Sequence, residues 1–349
     1  MKNVKRVLKD YVMYVVLIVL MIIFSLRSQN FFSPQNLLNI LNQNAYLIVA
    51  GVGITFIMLA GAMDLSIGYQ MSVNAVLLGI MVREGIENSV VLLITGIAVG
   101  VLLSTINGLI YARLKIFPFI ITLAMQYILY GVSYILSEAK TFKGFDYTFK
   151  FIGSHKFEID FGSTTILLPM GIIVMVITVL IGSFILNKTF FGRNIYALGS
   201  NPEAVSLSGV SVAKMRIAIF ALAGFFFGLS TIMAIGRTGS ATSGTGAGSA
   251  IEFVVMAGAM LGGIKMGGGG GKMNNMVVGM LIIGVLNNGM DLANLSNYWQ
   301  KIAMGVILLI AITIDALQSE SVIKRAKMVM IELPEKTEEK QSEETPTST

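Results

Sequence analysis

Residues 164–235 read TTILLPMGIIVMVITVLIGSFIL, then NKTFFGRNIYALGSNPEAVSLSGVSVAK, then MRIAIFALAGFFFGLSTIMAI. The first and third pieces are apolar runs of about 20 residues, the length of helix that crosses the hydrocarbon core of a bilayer. We call the middle piece, residues 187–214, the polar segment. Because a polar connection between two such runs must lie outside the hydrocarbon, this stretch predicts two transmembrane helices joined at one membrane face.

The polar segment carries the signals of an ordered helix. Asn201 can cap the start of a helix, and Pro202 suits its first position. Glu203 then faces the positive end of the helix dipole, and Gly209 can end the helix. A chain composed mainly of membrane-spanning sequence is therefore predicted to hold a rigid helical piece outside the membrane, where it can contact a partner.

Composition excludes several classes of protein. The chain has 349 residues, of which 55% are hydrophobic and 13% are charged, whereas a soluble protein has about 25% charged residues. It has no cysteine, which excludes a disulfide framework, thiol catalysis and thiolate metal sites. Because the formal charge of +6 belongs to the loops, it indicates membrane topology rather than binding to nucleic acid.

The apolar runs predict an all-α, polytopic transmembrane bundle of about ten spans with both termini in the cytoplasm. The expected spans are residues 11–26, 45–62, 65–82, 89–112, 117–136, 164–186, 215–235, 251–266, 273–292 and 298–316. Those within 45–82 and at 251–266 are short enough to be broken or re-entrant helices. Before them, Pro34 is expected to open a short helix at the outer membrane interface. Residues 1–317 then form the transmembrane domain, and 318–349 a cytoplasmic tail that is largely disordered.

The distribution of basic residues predicts the orientation of the bundle. Lysine and arginine favour the loops assigned to the inner side, where the polar segment contributes Lys188, Arg193 and Lys214. The first apolar run has basic residues before it and no small-residue cleavage pattern at residues 27–30, so we expect an uncleaved span. The chain is accordingly expected in a membrane, in contact with lipid.

Four further motifs occur in order along the chain. They are GAMDLSIG at residues 61–68, FPFIITLA at 117–124, GSNPEA at 199–204, and LGG at 261–263 followed by a glycine run and GVLNNG at 284–289. Over about residues 10–317, these motifs resemble the permease subunits of bacterial ABC importers for ribose, galactose and related sugars. The resemblance implies a member of the permease group for branched-chain amino acids and simple sugars, located in the cytoplasmic membrane of a bacterium.

The resemblance also implies partners. Such permeases pair with a second copy or a paralogue, receive solute from an extracytoplasmic binding protein, and are driven by a separate cytoplasmic ATPase. ATP and Mg²⁺ would then bind to that ATPase, and this chain would need no cofactor. Within the polar segment, the residues implied to couple to the ATPase are Gly199, Asn201, Pro202, Glu203, Ala204 and Gly209. The solute is expected to be a monosaccharide such as ribose or galactose, with a nucleoside or another small polar metabolite as the alternative.

Asp64 is a carboxylate inside an apolar region, where a charge costs about 2.5–3.5 kcal/mol on insertion scales. Two interpretations are open. Asp64 can cap a helix that begins at Leu65, with Ser66 nearby, or it can line or gate the translocation pathway. Glu252 is open to a similar pair of interpretations, as an acid favoured by a helix dipole or as a residue near an outer gate.

Uncharged polar residues inside the spans are the remaining candidates. Their amides suit hydrogen bonds between helices, and equally suit the hydroxyl groups of a sugar in the pathway. These candidates are Asn74, Asn107, Gln126 and Asn287.

No catalytic or metal site is predicted. The glycine run at 267–272 resembles a phosphate-binding loop, but the required glycine five residues before Gly271 is Met266. Met273 likewise replaces the serine or threonine that would contact Mg²⁺, so we expect a tight cytoplasmic turn. His155 has no companion ligands nearby in sequence. The rival functions are an ion-coupled secondary transporter, which needs a relay of intramembrane carboxylates, and a membrane scaffold without transport.

Overall fold

A computed structural model describes residues 2–86, 88–114, 116–145, 147–160 and 165–313. The helices are α1 (Lys2–Arg27), α2 (Pro34–Leu59), α3 (Ile67–Arg83), α4 (Ser89–Leu114), α5 (Pro118–Ser137), α6 (Tyr147–Ser154), α7 (Met170–Lys188), α8 (Phe190–Ser200), α9 (Pro202–Leu207), α10 (Val212–Thr238), α11 (Ile251–Leu261), α12 (Met273–Leu292) and α13 (Asn297–Thr313). Among the described residues, six of these helices are long and apolar enough to cross a membrane. Helices α3, α11 and α13 are shorter apolar helices, and so is the part of α1 at Val12–Arg27. The predicted polytopic helical bundle is confirmed.

Helices α2 and α10 form the centre of the bundle. Helix α10 packs most extensively against α4 and then against α2. Glycines permit the close approach of α4 and α10, since a Cβ on Gly100 would lie 2.5 Å from the carbonyl oxygen of Gly224. Small residues at such crossings are how helices pack tightly in lipid, where apolar burial alone provides little attraction between them.

Helix α2 corrects the expectation of a short interfacial helix followed by a separate span. It is one continuous helix of 26 residues, and the Ser33 side chain caps its start by accepting a hydrogen bond from the Asn36 backbone N–H. Polar residues of this stretch make hydrogen bonds within the bundle. Asn36 bonds to Asn288 on α12, and the Asn44 amide donates to the Ile40 carbonyl at 2.7 Å.

The loops beyond α5 and α10 contain two small antiparallel sheets that the sequence did not predict. Strands β2 (Lys156–Asp160) and β3 (Thr165–Pro169) form a hairpin, and β1 (Phe142–Lys143) pairs with β4 (Ser240–Ala241). The predicted span at 164–186 therefore begins as a strand and becomes helical only at Met170, because Pro169 occupies the N-cap in an extended conformation.

Helix α11 is short, as expected. It ends at Leu261, and Gly263 follows with φ of +80°, so residues 262–272 form a loop rather than the end of a span. The predicted tail at 318–349 lies outside the described residues. The cytoplasmic placement of both termini stays a prediction.

Candidate functional site

The polar segment folds into two short helices, α8 and α9, rather than one. The Thr189 hydroxyl accepts a hydrogen bond from the Gly192 backbone N–H at 3.1 Å and caps α8. The Asn201 Oδ1 accepts from the Ala204 N–H at 3.0 Å and caps α9, with Pro202 in its first turn. Gly209 has φ of +84° after α9. The predicted start and stop of the helix are thus confirmed.

The surface of α9 is almost entirely free of contact with the rest of the chain. Val205 is buried and anchors the helix, whereas Glu203 and its neighbours are exposed. Leu207, at the end of α9, is 90% exposed. A leucine this exposed on a capped, rigid helix is well placed for burial against a protein partner. Sequence reasoning missed Leu207 because one leucine in a short helix does not reveal which way it points.

The end of α8, directly before α9, contacts the rest of the bundle through Gly199. A Cβ on Gly199 would lie 2.0 Å from the Leu59 carbonyl oxygen and 2.5 Å from the Gly269 nitrogen. Gly268 is also in close contact with Gly61, because a Cβ added to Gly268 would lie 2.6 Å from the Gly61 nitrogen. The backbones of α8, of the end of α2 and of residues 267–271 therefore meet at a point where no side chain fits.

We call residues 267–271 the glycine loop. Its geometry is that of a tight turn, with φ of +85°, +69° and +133° at Gly268, Gly269 and Gly271. The Gly269 N–H donates to the Leu59 carbonyl at 2.8 Å, and the Tyr196 hydroxyl donates to the Gly271 carbonyl at 3.0 Å. The predicted turn is confirmed, and it lies on the same face of the bundle as the polar segment.

Asp64 is fully buried in a cluster of hydrogen bonds. Its Oδ1 accepts from the Ser66 N–H at 2.8 Å and from the Ser66 hydroxyl at 2.6 Å. Its Oδ2 accepts from the Gln70 amide at 3.0 Å and the Asn107 amide at 3.3 Å. The expectation that Asp64 caps a helix from Leu65 is wrong, since α3 begins at Ile67. The carboxylate lies in the break between α2 and α3, and its hydrogen bond from Asn107 connects this break to α4.

The remaining candidates are distributed around the bundle. Asn74 donates to the Gly96 carbonyl at 2.7 Å, an interhelical bond from α3 to α4. Glu252 lies in the first turn of α11, as expected for a dipole-favoured acid, and is buried against Gly68, where a Cβ would lie 2.4 Å from Glu252 Oε2. Gln126 is half-buried on α5. The structure thus brings Asp64, Ser66 and Asn107 together and leaves the others apart.

Asn287 is half-buried and lines a cleft rather than the core. It lines a cleft of about 800 Å³ among α2, the end of α10, α11, α12 and α13. We call this the amide cleft, because its lining includes carboxamide side chains from α2, α12 and α13. These are Gln43, Asn44, Asn287, Asn297 and Gln300. The sequence revealed Asn287 as a candidate but not the other four.

The comparisons with known proteins agree with this architecture. Residues 36–312 match the family model described as branched-chain amino acid transport system / permease component. The chain is 33% identical over 305 residues to the ribose import permease protein of Bacillus subtilis, covering 87% of this chain and 91% of that protein. It is 32% identical over 333 residues to the galactose/methyl galactoside import permease protein of Salmonella typhimurium, covering 89% and 95%. No solved structure matches the chain.

Family and structure together establish where the chain resides. Its relatives are import permeases, and its described residues include six apolar helices of membrane-spanning length. The chain is a multi-pass protein of the bacterial inner membrane. By the match of its family model over most of its length, it belongs to the family of branched-chain amino acid transport system permease components, as a permease of the ABC sugar importer type.

Proposed function

We propose that this chain is the translocating subunit of an ABC importer and carries a small polar solute, a monosaccharide such as ribose or galactose. The observation that carries the proposal is the polar segment. It presents an exposed helix, α9, directly after α8, and the end of α8 is fixed at Gly199 by backbone contacts to the end of α2 and to the glycine loop. Named relatives that import ribose and galactose support the class of solute.

The energy would come from a partner. In this proposal a separate cytoplasmic ATPase binds ATP and Mg²⁺ and docks on α9, so the chain is a transport component and not an enzyme. Displacement of α9 would pass through Gly199 to the end of α2 and to the glycine loop, because these backbones are in direct contact. Helices α2, α11 and α12 would then move as the ATPase closes.

Two further partners belong to the proposal. An extracytoplasmic binding protein would deliver the solute, and a second permease would complete the pathway. Helix α5 has large side chains that are exposed in the single chain, among them Tyr127 at 71% and Ile135 at 78%. Such a surface suits contact with lipid or with the second permease.

The test is co-purification from detergent-solubilised membranes. The tagged chain should capture the ATPase that is encoded next to it in the genome. Leu207→Asp places a charge on the exposed end of α9 without touching the core, and we expect it to abolish capture. Leu295→Asp is the matched control, since Leu295 is an exposed apolar residue (43%) beyond the far end of α12. We expect it to capture normally.

Equal capture by the wild type and by Leu207→Asp would show that α9 is not part of the interface with the ATPase. Absence of capture by the wild type, at normal expression and insertion, would overturn the importer assignment. Solute uptake that continues without the ATPase would favour an ion-coupled transporter instead.

A further inference from the structure

The amide cleft lies at the end of the bundle opposite the polar segment. Helix α2 reaches the glycine loop at Leu59, whereas its cleft residues begin at Gln43. Sixteen residues of helix, the difference between these two numbers, correspond to about 24 Å at 1.5 Å per residue. Helix α12 gives the same result, since it starts next to the glycine loop and reaches the cleft only at Gly284 and Asn287. A solute entering from the face opposite the ATPase dock would meet this cleft first.

The polarity of the cleft changes with depth. Its charged residues, Arg237, Asp291 and Lys301, are all exposed and lie toward the rim. Further in, Asn44 is buried and Asn287 is half-buried. Because a charged group without a partner is costly to bury, the inner part of the cleft suits an uncharged molecule.

The inner amides retain hydrogen-bonding capacity. Asn44 uses its Nδ2 to donate to the Ile40 carbonyl, and among the described residues no hydrogen-bond partner is found for its Oδ1. The Asn287 amide likewise has no side-chain bond within the described part of the chain. A carboxamide offers two donors and an acceptor, which is the combination that hydroxyl groups can satisfy from either side.

Aromatic surface completes the lining. Tyr46 is half-buried in the cleft, with the Arg237 guanidinium 5.4 Å from its ring centre. Phe253, at the start of α11, is 40% exposed. Binding sites combine such apolar planes with a few placed polar groups, in volumes of about 300–1,000 Å³. The amide cleft is within this range.

The absence of a side chain at Gly284 leaves the space that the Asn44 amide occupies in the cleft wall. A Cβ on Gly284 would lie 2.3 Å from Asn44 Nδ2 and 2.6 Å from its Cγ. An alanine here would displace the buried amide while leaving the rim of the cleft in place. The glycine thus offers a way to test the inner amide without removing it.

We propose that the amide cleft is a low-affinity binding site for the transported solute, and that it takes a neutral polyhydroxylated molecule through Asn44 and Asn287. This inference rests on the proposed transport function and assigns a specific site to it.

The natural absence of cysteine makes the cleft directly accessible to experiment. Gln43→Cys introduces a single thiol at the exposed rim of the cleft and leaves Asn44 and Asn287 in place, to be labelled with a membrane-impermeant maleimide in cells that express the chain with its ATPase. We expect D-ribose or D-galactose to slow labelling by about twofold when the sugar concentration equals the dissociation constant, and by more at higher concentrations. Leucine at the same concentration should leave the rate unchanged.

Two controls keep the result specific. Glu158→Cys lies on the exposed strand β2 and should be labelled at a rate that neither sugar alters. Asn297→Cys, at another exposed position of the cleft lining, replaces Gln43→Cys if that variant does not insert, with the same expectation. In the Gln43→Cys background, Gly284→Ala should remove the protection by sugar while labelling itself continues.

Labelling that no sugar slows would overturn the site, as would equal protection by leucine or equal slowing at Glu158→Cys. These outcomes are separable from a failure of the transport proposal. Intact ATPase capture without sugar protection rejects the cleft alone, and sugar protection without capture rejects the ATP-driven mechanism alone.

Discussion

The Cα of Gly199 in α8 lies so close to the Leu59 carbonyl oxygen at the end of α2 that a Cβ would be 2.0 Å from that oxygen. Real Cβ atoms do not approach an oxygen so closely, so any side chain at this position forces α8 away from α2. The contact links the helix pair that faces the proposed partner to α2, one of the two helices at the centre of the bundle.

Gly199→Ala should therefore disturb transport without preventing docking. We expect ATPase capture to persist, since α9 is unchanged, and solute-stimulated ATP hydrolysis to fall toward its basal rate. Overpacking of this kind costs about 1–3 kcal/mol, and a matching decrease in thermal unfolding temperature should be measurable.

Gly267→Ala is the matched control for this change. An added Cβ at Gly267 meets nothing within 4 Å, although the residue belongs to the same glycine loop. Normal stimulation is expected. Loss of stimulation in both variants would indicate that the loop needs flexibility rather than close contact, and normal stimulation in Gly199→Ala would contradict the proposed linkage.

The Asp64 cluster gives a contrast between two substitutions. In Asp64→Asn, the new amide nitrogen meets the Gln70 and Asn107 amides, whose own oxygens have no partners among the described residues. Half-turn rotations of those amides would present their oxygens instead, with loss of the bonds that both amides donate to the Ser66 hydroxyl at 2.8 Å, so we expect a moderate loss of stability. Asp64→Leu leaves buried donors unpaired, at about 1–3 kcal/mol each, and should strongly lower the unfolding temperature. Equal stability of the two variants would exclude this role.

Two adjacent asparagines on α12 should respond differently to alanine. Asn288 and Asn36 exchange two amide hydrogen bonds, at 2.9 and 3.0 Å, whereas Asn287 lines the amide cleft. Asn288→Ala should destabilise the protein by about 1–3 kcal/mol, because it leaves the Asn36 Oδ1 buried without a donor, although Asn36 Nδ2 keeps its bond to the Phe31 carbonyl. Asn287→Ala should change stability by less than about 0.5 kcal/mol. Thermal unfolding in detergent measures both, and a reversed order would contradict the structure.

The N-cap of α9 provides a graded test of the docking helix. Asn201→Ala removes the acceptor for the Ala204 N–H and should cost about 1 kcal/mol of local helix stability. ATPase capture should weaken by roughly fivefold, the affinity change that corresponds to this energy. Asn201→Asp retains the cap and should capture normally. If both variants bind equally well, a preformed α9 is not required.

The sequence alone determined the membrane class, the approximate spans and the local form of the polar segment. These properties follow from features that are local along the chain. Apolar run length matches bilayer thickness, and the Asn201, Pro202 and Gly209 signals act on backbone groups within a few residues of themselves. The family motifs were also visible in sequence, since they need no distance in space to be recognised.

Tertiary structure alone decided which polar residues are buried and which are open. Asp64 and Asn287 are both polar residues in apolar surroundings, yet one is fully buried by partners from α3 and α4 and the other lines a cleft. That difference depends on partners dozens of residues away. The contact of Gly199 with Leu59 and the glycine loop is of the same kind, because a glycine shows in sequence only that no side chain is present. What approaches it is set by the packing of helices distant in the chain.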